Sequence, residues 1–433
     1  MQPLATVIAR RRRHAHTTIL AQRRGPPPIV LVPLAAGFCL AVVVDRALGE
    51  PPAPLDPADA SAVTPAPSRE PTPPPAPTVE IGDAVLRPHA ASTPPAPVAV
   101  DQRAGERVLT RALTKVLVDG KTPYGATVLL EVGSGRVLAI AEHSTRGDAE
   151  GLALRPMAPA ASVFKIVTSS ALLRAGVPAS ERVCARGGMR RLQERLLVDD
   201  ARKDRDCTTL FDALPRSQNT AIAKLALKHL DPEALREEAR RFGFDAPLAI
   251  STLPNAPLDE RHQASPSVAL IPDDPFGFAE SASGFGDVKL SALHGAVLAS
   301  VVATGGVLVP PRLTDHDGAG DARRVLDERH AETLRRMMAE TVTNGTARRA
   351  FASGPRLKHG AAGKTGSLTD YTTGLDTSWF VGFAPADRPQ VAVATVVVNQ
   401  GKWHVKAPWV AKEALRSYFA AKEREQKAVV ARR

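Results

Sequence analysis

Apolar residues fall into β-rich runs at the two ends of a central region and into helix-length runs between them. "GATVLLEVGSGRVLAIAEH" (Gly125 to His143) is two such runs around Gly133-Ser134-Gly135, which predicts a hairpin. "TSWFVGFAPADRPQVAVATVVVNQ" (Thr377 to Gln400) predicts two more strands around "APADRPQ". "KAPWVAKEALRSYFAAKEREQK" follows with the spacing of an amphipathic helix. The middle predicts helices over Ser162–Ala175, Leu210–His229, Pro232–Phe242, Ser291–Thr304 and Glu328–Thr343. Strands from both ends enclosing a helical block point to an α+β fold, an antiparallel sheet packed against helices.

Outside that region the pattern changes. Ile29 to Val44, "IVLVPLAAGFCLAVVV", carries no charge. As a helix it spans about 24 Å, close to a bilayer core. Six arginines precede it (Arg10 to Arg13, Arg23, Arg24) and no acid occurs before Asp45. This is the charge bias that holds an N-terminal end in the cytoplasm. The expected organisation is a basic cytoplasmic tail (1–28), a transmembrane signal-anchor (29–44) and then an exported chain. A signal peptide cleaved near "ADASA" (Ala58 to Ala62) is the competing reading. Fifteen prolines fall between Pro51 and Val100. Residues 45–101 therefore read as an extended periplasmic linker that buries no core. The globular domain is expected over 102–425, with 426–433 as a C-terminal tail.

Composition narrows the function. The net charge is +11, but the six tail arginines supply more than half of it. The rest carries interspersed signs and aromatic residues make up only 4% of the chain, so nucleic acid is not an expected partner. Cys184 and Cys207 are the two cysteines beyond the anchor. In an exported chain they are a disulfide candidate, closing a loop of about 24 residues that contributes about 3 kcal/mol. No metal-ligand spacing occurs, and neither metal nor cofactor is expected.

Three short segments carry candidate chemistry. In "ASVFKIVTSSALL" (Ala161 to Leu173), Ser162 and Lys165 sit three apart on an otherwise apolar helix. A hydroxyl needs a base to become a nucleophile, and burial keeps a lysine neutral enough to serve. The plainer reading is a lysine that snorkels to the surface. In "LPRSQNTAIAKLALKHL", Leu214-Pro215 interrupt the helix before Ser217 and Asn219. These residues suit a proton relay and an amide contact, or simply a helix cap. In "HGAAGKTGSLTDYTT", Lys364, Thr365, Gly366 and Ser367 follow small residues that allow close approach, which suits a substrate carboxylate. A phosphate-binding loop is disfavoured because Lys358 stands where its first glycine belongs.

In this order the three segments resemble the active site of the penicillin-binding proteins and serine β-lactamases. The resemblance extends over "GSGRVLAIAEH", "ESASGFGDVKLSALHGAVLASVVATGGVLVPPRL" (Glu280 to Leu313), "TNGTARRAF" and "SWFVGFAP". It implies that Ser162 is the acylated nucleophile and Lys165 its general base. It implies that Ser217 shuttles a proton and Asn219 orients substrate, that Lys364 and Thr365 hold the substrate carboxylate, and that Gly366 and Ser367 belong to the same substrate-binding segment. Backbone N–H groups of Ser162 and Ser367 would form the oxyanion hole. The implied partners are peptidoglycan stem peptides ending in D-Ala-D-Ala, β-lactams as inhibitors, and the inner membrane.

Within the family, the glutamate signature of class A lactamases is absent after Ser217, and Glu260 lies in no such setting. The anchor and linker fit a fixed cell-wall enzyme. The expectation is therefore a monofunctional D,D-transpeptidase, with a D,D-carboxypeptidase, a β-lactamase or a non-catalytic β-lactam sensor as alternatives. No pedestal domain is expected before the catalytic domain, which weakens any inference of a cell-wall polymerase partner. The charged segment "MRRLQERLLVDDARKDRDC" (Met189 to Cys207) has no expected role.

Overall fold

A computed structural model describes residues 104–431, apart from positions 146, 148, 150, 157 and 247 and segments 249–265 and 313–320. The basic tail, signal-anchor and linker expected over 1–101, and Glu260, lie outside the described residues. Among the described residues, no helix is long and apolar enough to cross a membrane.

The fold is α+β. Helix α1 (Ala104–Asp119), which the sequence did not signal, leads into the hairpin β1 (Tyr124–Glu131) and β2 (Val137–Ser144). The helical block follows. It contains α2 (Lys165–Arg174), α3 (Asn219–His229), α4 (Pro275–Ala282), α5 (Ala292–Ala303) and α6 (Glu328–Thr343). The chain returns as β3 (Ala362–Asp370), β4 (Leu375–Ala384) and β5 (Val391–Gln400), then ends in α7 (Ala407–Ala431). Helix α7 passes the expected boundary at 425, because "KEREQKAVVA" contains good helix formers and no breaker.

The five strands form one antiparallel sheet in the order β3-β4-β5-β1-β2. The last strand made, β5, pairs with the first, β1, and the buried hydroxyls of Thr127 and Thr395 meet across this seam at 3.1 Å. Both faces are covered, which explains the near-continuous apolar run of β5. Ala392, Ala394, Val396 and Val398 face the helical block, while Val391, Val393 and Val397 face the layer of α1 and α7. Helix α5 is buried along its whole length. At Gly295 a Cβ would lie 3.0 Å from Ala394 Cβ, so glycine lets helix and sheet approach closely.

Two predicted helices differ in detail. The one expected from Ser162 opens with a 3-10 turn over Ala161–Phe164 and becomes α-helical at Lys165. The one expected over Leu210–His229 is two helices, Leu210–Ala213 and α3. Ser217 takes a left-handed backbone (φ 55°) between them, which a continuous helix does not allow.

Candidate active site

The site lies where the helical block meets the edge of the sheet. Ala161 has φ 47°, a left-handed conformation that costs a non-glycine residue about 1–2 kcal/mol. Surrounding contacts hold it there. Ala160 N–H donates to Val288 O at 2.8 Å, and Trp379 Nε1 of β4 donates to Pro159 O at 2.8 Å. Gly284 presses on the Ala161 carbonyl so closely that a Cβ would come within 1.8 Å of its oxygen. The turn that follows buries Ser162 and Lys165. Behind it, Glu238, itself buried, accepts from Ser170 and from Arg174 Nε (2.7 Å), which ties α2 to the neighbouring helix Pro232–Arg241.

Lys165 Nζ lies 2.7 Å from Ser162 Oγ and also contacts Asn219 Oδ1. Burial holds the Lys165 ammonium well below the ordinary lysine range, and the charge of Lys364 lowers it further. In the neutral form that this shift favours, the amine donates to Asn219 Oδ1 and turns its lone pair towards the Ser162 hydroxyl. The pair therefore has the geometry and basicity to make Ser162 a nucleophile.

Lys364 projects from β3 with no solvent exposure. Its Nζ donates to Ser217 Oγ (2.9 Å) and to Thr365 O (2.7 Å). Burial lowers its pKa from 10.5 to about 7. Ser217 is thus joined directly to Lys364. Thr365 Oγ1 lies 2.6 Å from Thr346 Oγ1, and Thr346 N–H in turn donates to Pro215 O. Gly366 lets β3 pass the turn at Ala160, where a Cβ would stand 3.2 Å from its carbonyl oxygen. Ser367 is exposed at the rim.

A cleft of about 790 Å³ joins these parts, lined by Ser162, Ser217, Asn219, Thr365, Ser367 and Phe285 among others. All three segments marked in the sequence reach it or stand directly behind it. Neither Ser217 nor Asn219 is a helix cap: the N-cap of α3 is Gln218, with no side-chain cap bond. Asn219 Nδ2 instead donates to Met189 O (3.0 Å) and Arg190 O (2.9 Å), while its N–H donates to Gly188 O (2.8 Å).

These contacts give the charged segment 189–207 a place. Cys184 and Cys207 are disulfide-bonded across a short antiparallel strand pair and close the loop that carries those carbonyls. Inside it, buried Lys224 of α3 donates to Asp204 (2.6 Å) and Asp199 (2.8 Å), and Arg186 pairs with Asp204 at 2.5 Å. Burial raises the Asp204 carboxyl, but hydrogen bonds from Lys224, the Asp200 N–H and Arg186 outweigh it and hold its pKa at about 2. Lys224, Asp204 and Thr346 were not singled out from the sequence. The one available signal was Lys224 itself, a second lysine among the small apolar residues of "NTAIAKLALKH".

A serine beside a buried lysine held well below its ordinary range, with the buried Lys364 and hydroxyls across a cleft, has the geometry of a serine acyl-transfer site. The chain belongs to the penicillin-binding protein transpeptidase domain family, whose model matches residues 125–416. Among its relatives is the peptidoglycan D,D-transpeptidase PbpA of Mycobacterium tuberculosis, 27% identical over 315 residues. That match covers 64% of this chain and 62% of the relative. The probable peptidoglycan D,D-transpeptidase PbpC of Pseudomonas aeruginosa is 26% identical, over 66% of this chain and 51% of its own. The chain thus spans somewhat over half the length of these relatives. The solved structure of PBPA from Mycobacterium tuberculosis superposes with a TM-score of 0.56 at 24% identity, covering 72% of this chain and 80% of its own. The transpeptidase domain of Burkholderia pseudomallei penicillin-binding protein 3 superposes with a TM-score of 0.59 at 20% identity, covering 76% and 98%. Both share the fold.

Proposed function

We propose that this chain is a penicillin-binding D,D-transpeptidase that joins peptidoglycan stem peptides through an acyl-Ser162 intermediate. Residues 29–44 anchor it in the inner membrane, with the catalytic domain in the periplasm. One observation carries the reading: a fully buried lysine, its ammonium form disfavoured by burial, stands 2.7 Å from the hydroxyl of Ser162.

Lys165 takes the Ser162 proton as Oγ attacks the carbonyl of the penultimate D-alanine. Ser162 and Ser367 N–H groups receive the developing oxyanion. The terminal carboxylate sits against Lys364 and Thr365, and its charge draws Lys364 towards the ammonium form. Ser217, bonded to Lys364, passes a proton to the leaving amine, and D-alanine departs. Asn219 holds Lys165 in line and keeps one Oδ1 lone pair for the substrate amide. An acceptor amine then attacks the acyl carbon. The relatives named as peptidoglycan D,D-transpeptidases favour this acceptor over water.

The test is covalent labelling of the full chain by a fluorescent penicillin, with and without Ser162→Ala. Stable labelling abolished by the substitution supports the reading. An unlabelled intact chain overturns it, and rapid release of hydrolysed drug makes it a β-lactamase instead. Mass analysis of products from a D-Ala-D-Ala pentapeptide, with and without an amine acceptor, separates crosslinking from trimming.

A further inference from the structure

Glu280 is the unexplained charge of the cleft. It lies in the last turn of α4, where the helix dipole disfavours a carboxylate. It is partly buried and lines the same cleft as Ser162. Its main-chain oxygen accepts from the N–H groups of Ser283 (3.0 Å) and Phe285 (2.9 Å), but among the described residues no hydrogen bond or ion pair reaches its carboxylate. The other charges lining the cleft behave differently. Asp370 is occupied by its own turn, accepting from Thr372 N–H (2.9 Å) and Thr373 Oγ1 (2.7 Å). Lys406 lies over the Trp403 ring, 4.6 Å from its centre. Arg191, exposed at the rim, shares the cleft with Glu280 without forming an ion pair; burial and the charge of Asp274 push the Glu280 carboxyl up, and the field of Arg191 offsets this only in part.

The helix carrying Glu280 is fixed against the nucleophile. Thr168 of α2 donates to Ala282 O (2.7 Å), Ser283 donates to Asn219 O (3.2 Å), and Gly284 presses on Ala161. Glu280 thus belongs to a rigid wall, and a partner of opposite charge has to come from the cleft itself. The transfer reaction supplies one, because an amine acceptor arrives from water as an ammonium ion. The two carboxylates of the cleft are Glu280 and Asp370, and only Glu280 is unengaged.

We propose that Glu280 is the specificity residue of the acceptor subsite and binds the ammonium group of the incoming acceptor beside acyl-Ser162. The proposal rests on the acyl-transfer reading above. The bound ammonium loses one proton to water, and the neutral amine attacks the acyl carbon. A C–N bond forms as the C–O bond to Ser162 breaks, and a second amine proton passes through Lys165 to Ser162 Oγ. Arg191 at the rim suits an acceptor that also carries a carboxylate.

The test uses the full chain with an acyl-D-Ala-D-Ala peptide donor and three acceptors. Glycine carries both charges, glycinamide only the ammonium, and glycolate only the carboxylate, with a hydroxyl in place of the amine. Glu280→Gln is expected to raise the KM for glycine and glycinamide about tenfold, with capture by glycolate no weaker. Glu280→Asp is expected to recover part of the loss. Penicillin labelling of the same variants reports acylation separately. An equal loss with glycolate, or a matching loss of labelling, makes Glu280 structural or part of acylation and overturns the proposal. So does an unchanged KM for both amines. If the unaltered chain takes no penicillin label, the acyl-enzyme reading itself fails and this proposal with it.

Discussion

Lys364→Met should stabilise the protein in acid and destabilise it in alkali. The folded chain holds the Lys364 proton only up to about pH 7, against an ordinary 10.5. Between these values unfolding takes up a proton, so stability rises with pH across the window. Below pH 7 both states are protonated, and the folded state carries the full cost of a buried ammonium. At about 1.4 kcal/mol per pH unit this is about 5 kcal/mol. Methionine fills a similar volume without a charge but loses the bonds to Ser217 Oγ and Thr365 O, at about 1–1.5 kcal/mol each. The net gain at pH 6 is about 2 kcal/mol. At pH 10 the cost has largely vanished, leaving the variant about 1–2 kcal/mol the weaker. Urea unfolding of both proteins at pH 6 and pH 10 reads the difference directly. A stability difference of the same sign and size at both pH values refutes the reasoning. Penicillin labelling of the variant should fall at least a hundredfold, because the carboxylate binding proposed for Lys364 requires the charge that stability disfavours.

Lys224→Ala leaves Asp204 with Arg186 as its one charged partner beside the Asp200 N–H, and should cost about 3 kcal/mol in urea unfolding. It should also slow penicillin labelling about tenfold, because the loop carrying Met189 O and Arg190 O loses its internal anchor; unchanged labelling would detach Asn219 from that loop. Asp204, ordinarily near 3.8 and held at about 2, contributes stability above about pH 4 that disappears as pH falls towards 2, so acid unfolding of Lys224→Ala should be less steep in that range. Gly284→Ala drives a Cβ into the Ala161 carbonyl and should cost about 2–4 kcal/mol together with labelling. Gly133→Ala has a similar φ (89°) but open space around it, so it should cost only about 1 kcal/mol and leave labelling intact.

The strands at both ends of the domain and helix α6 were legible because apolar periodicity reports burial, and these elements are buried where the pattern says. Strand β3 was not, because "AGKTGS" has no apolar alternation and only one branched residue, Thr365. Its glycines serve close approach to Ala160 and Phe380, a demand set by neighbours distant in sequence. Ser162 and Lys165 stood out because a lysine is costly in an apolar helix. Thr346 did not, since one threonine in "TNGTARRAF" signals nothing until Pro215 and Thr365 are brought to it. The loop 189–207 looked purposeless for the same reason. Two of its carboxylates, Asp199 and Asp204, are paired with Lys224, and its useful groups are main-chain carbonyls, which no side-chain pattern reveals.

The seam between β1 and β5 governs the order of events in synthesis. Strand β1 is among the first parts of the domain to be made, yet its partner on one side, β5, ends at Gln400. Ser162 and Lys165 therefore emerge long before the sheet that brings Lys364 opposite them has all its strands. Pairings so distant in the chain form late. A polypeptide interrupted before Val391 carries a nucleophile with no completed cleft around it. The proposed acylating centre therefore depends on a pairing between the two ends of the domain that only a chain extending through β5 can make.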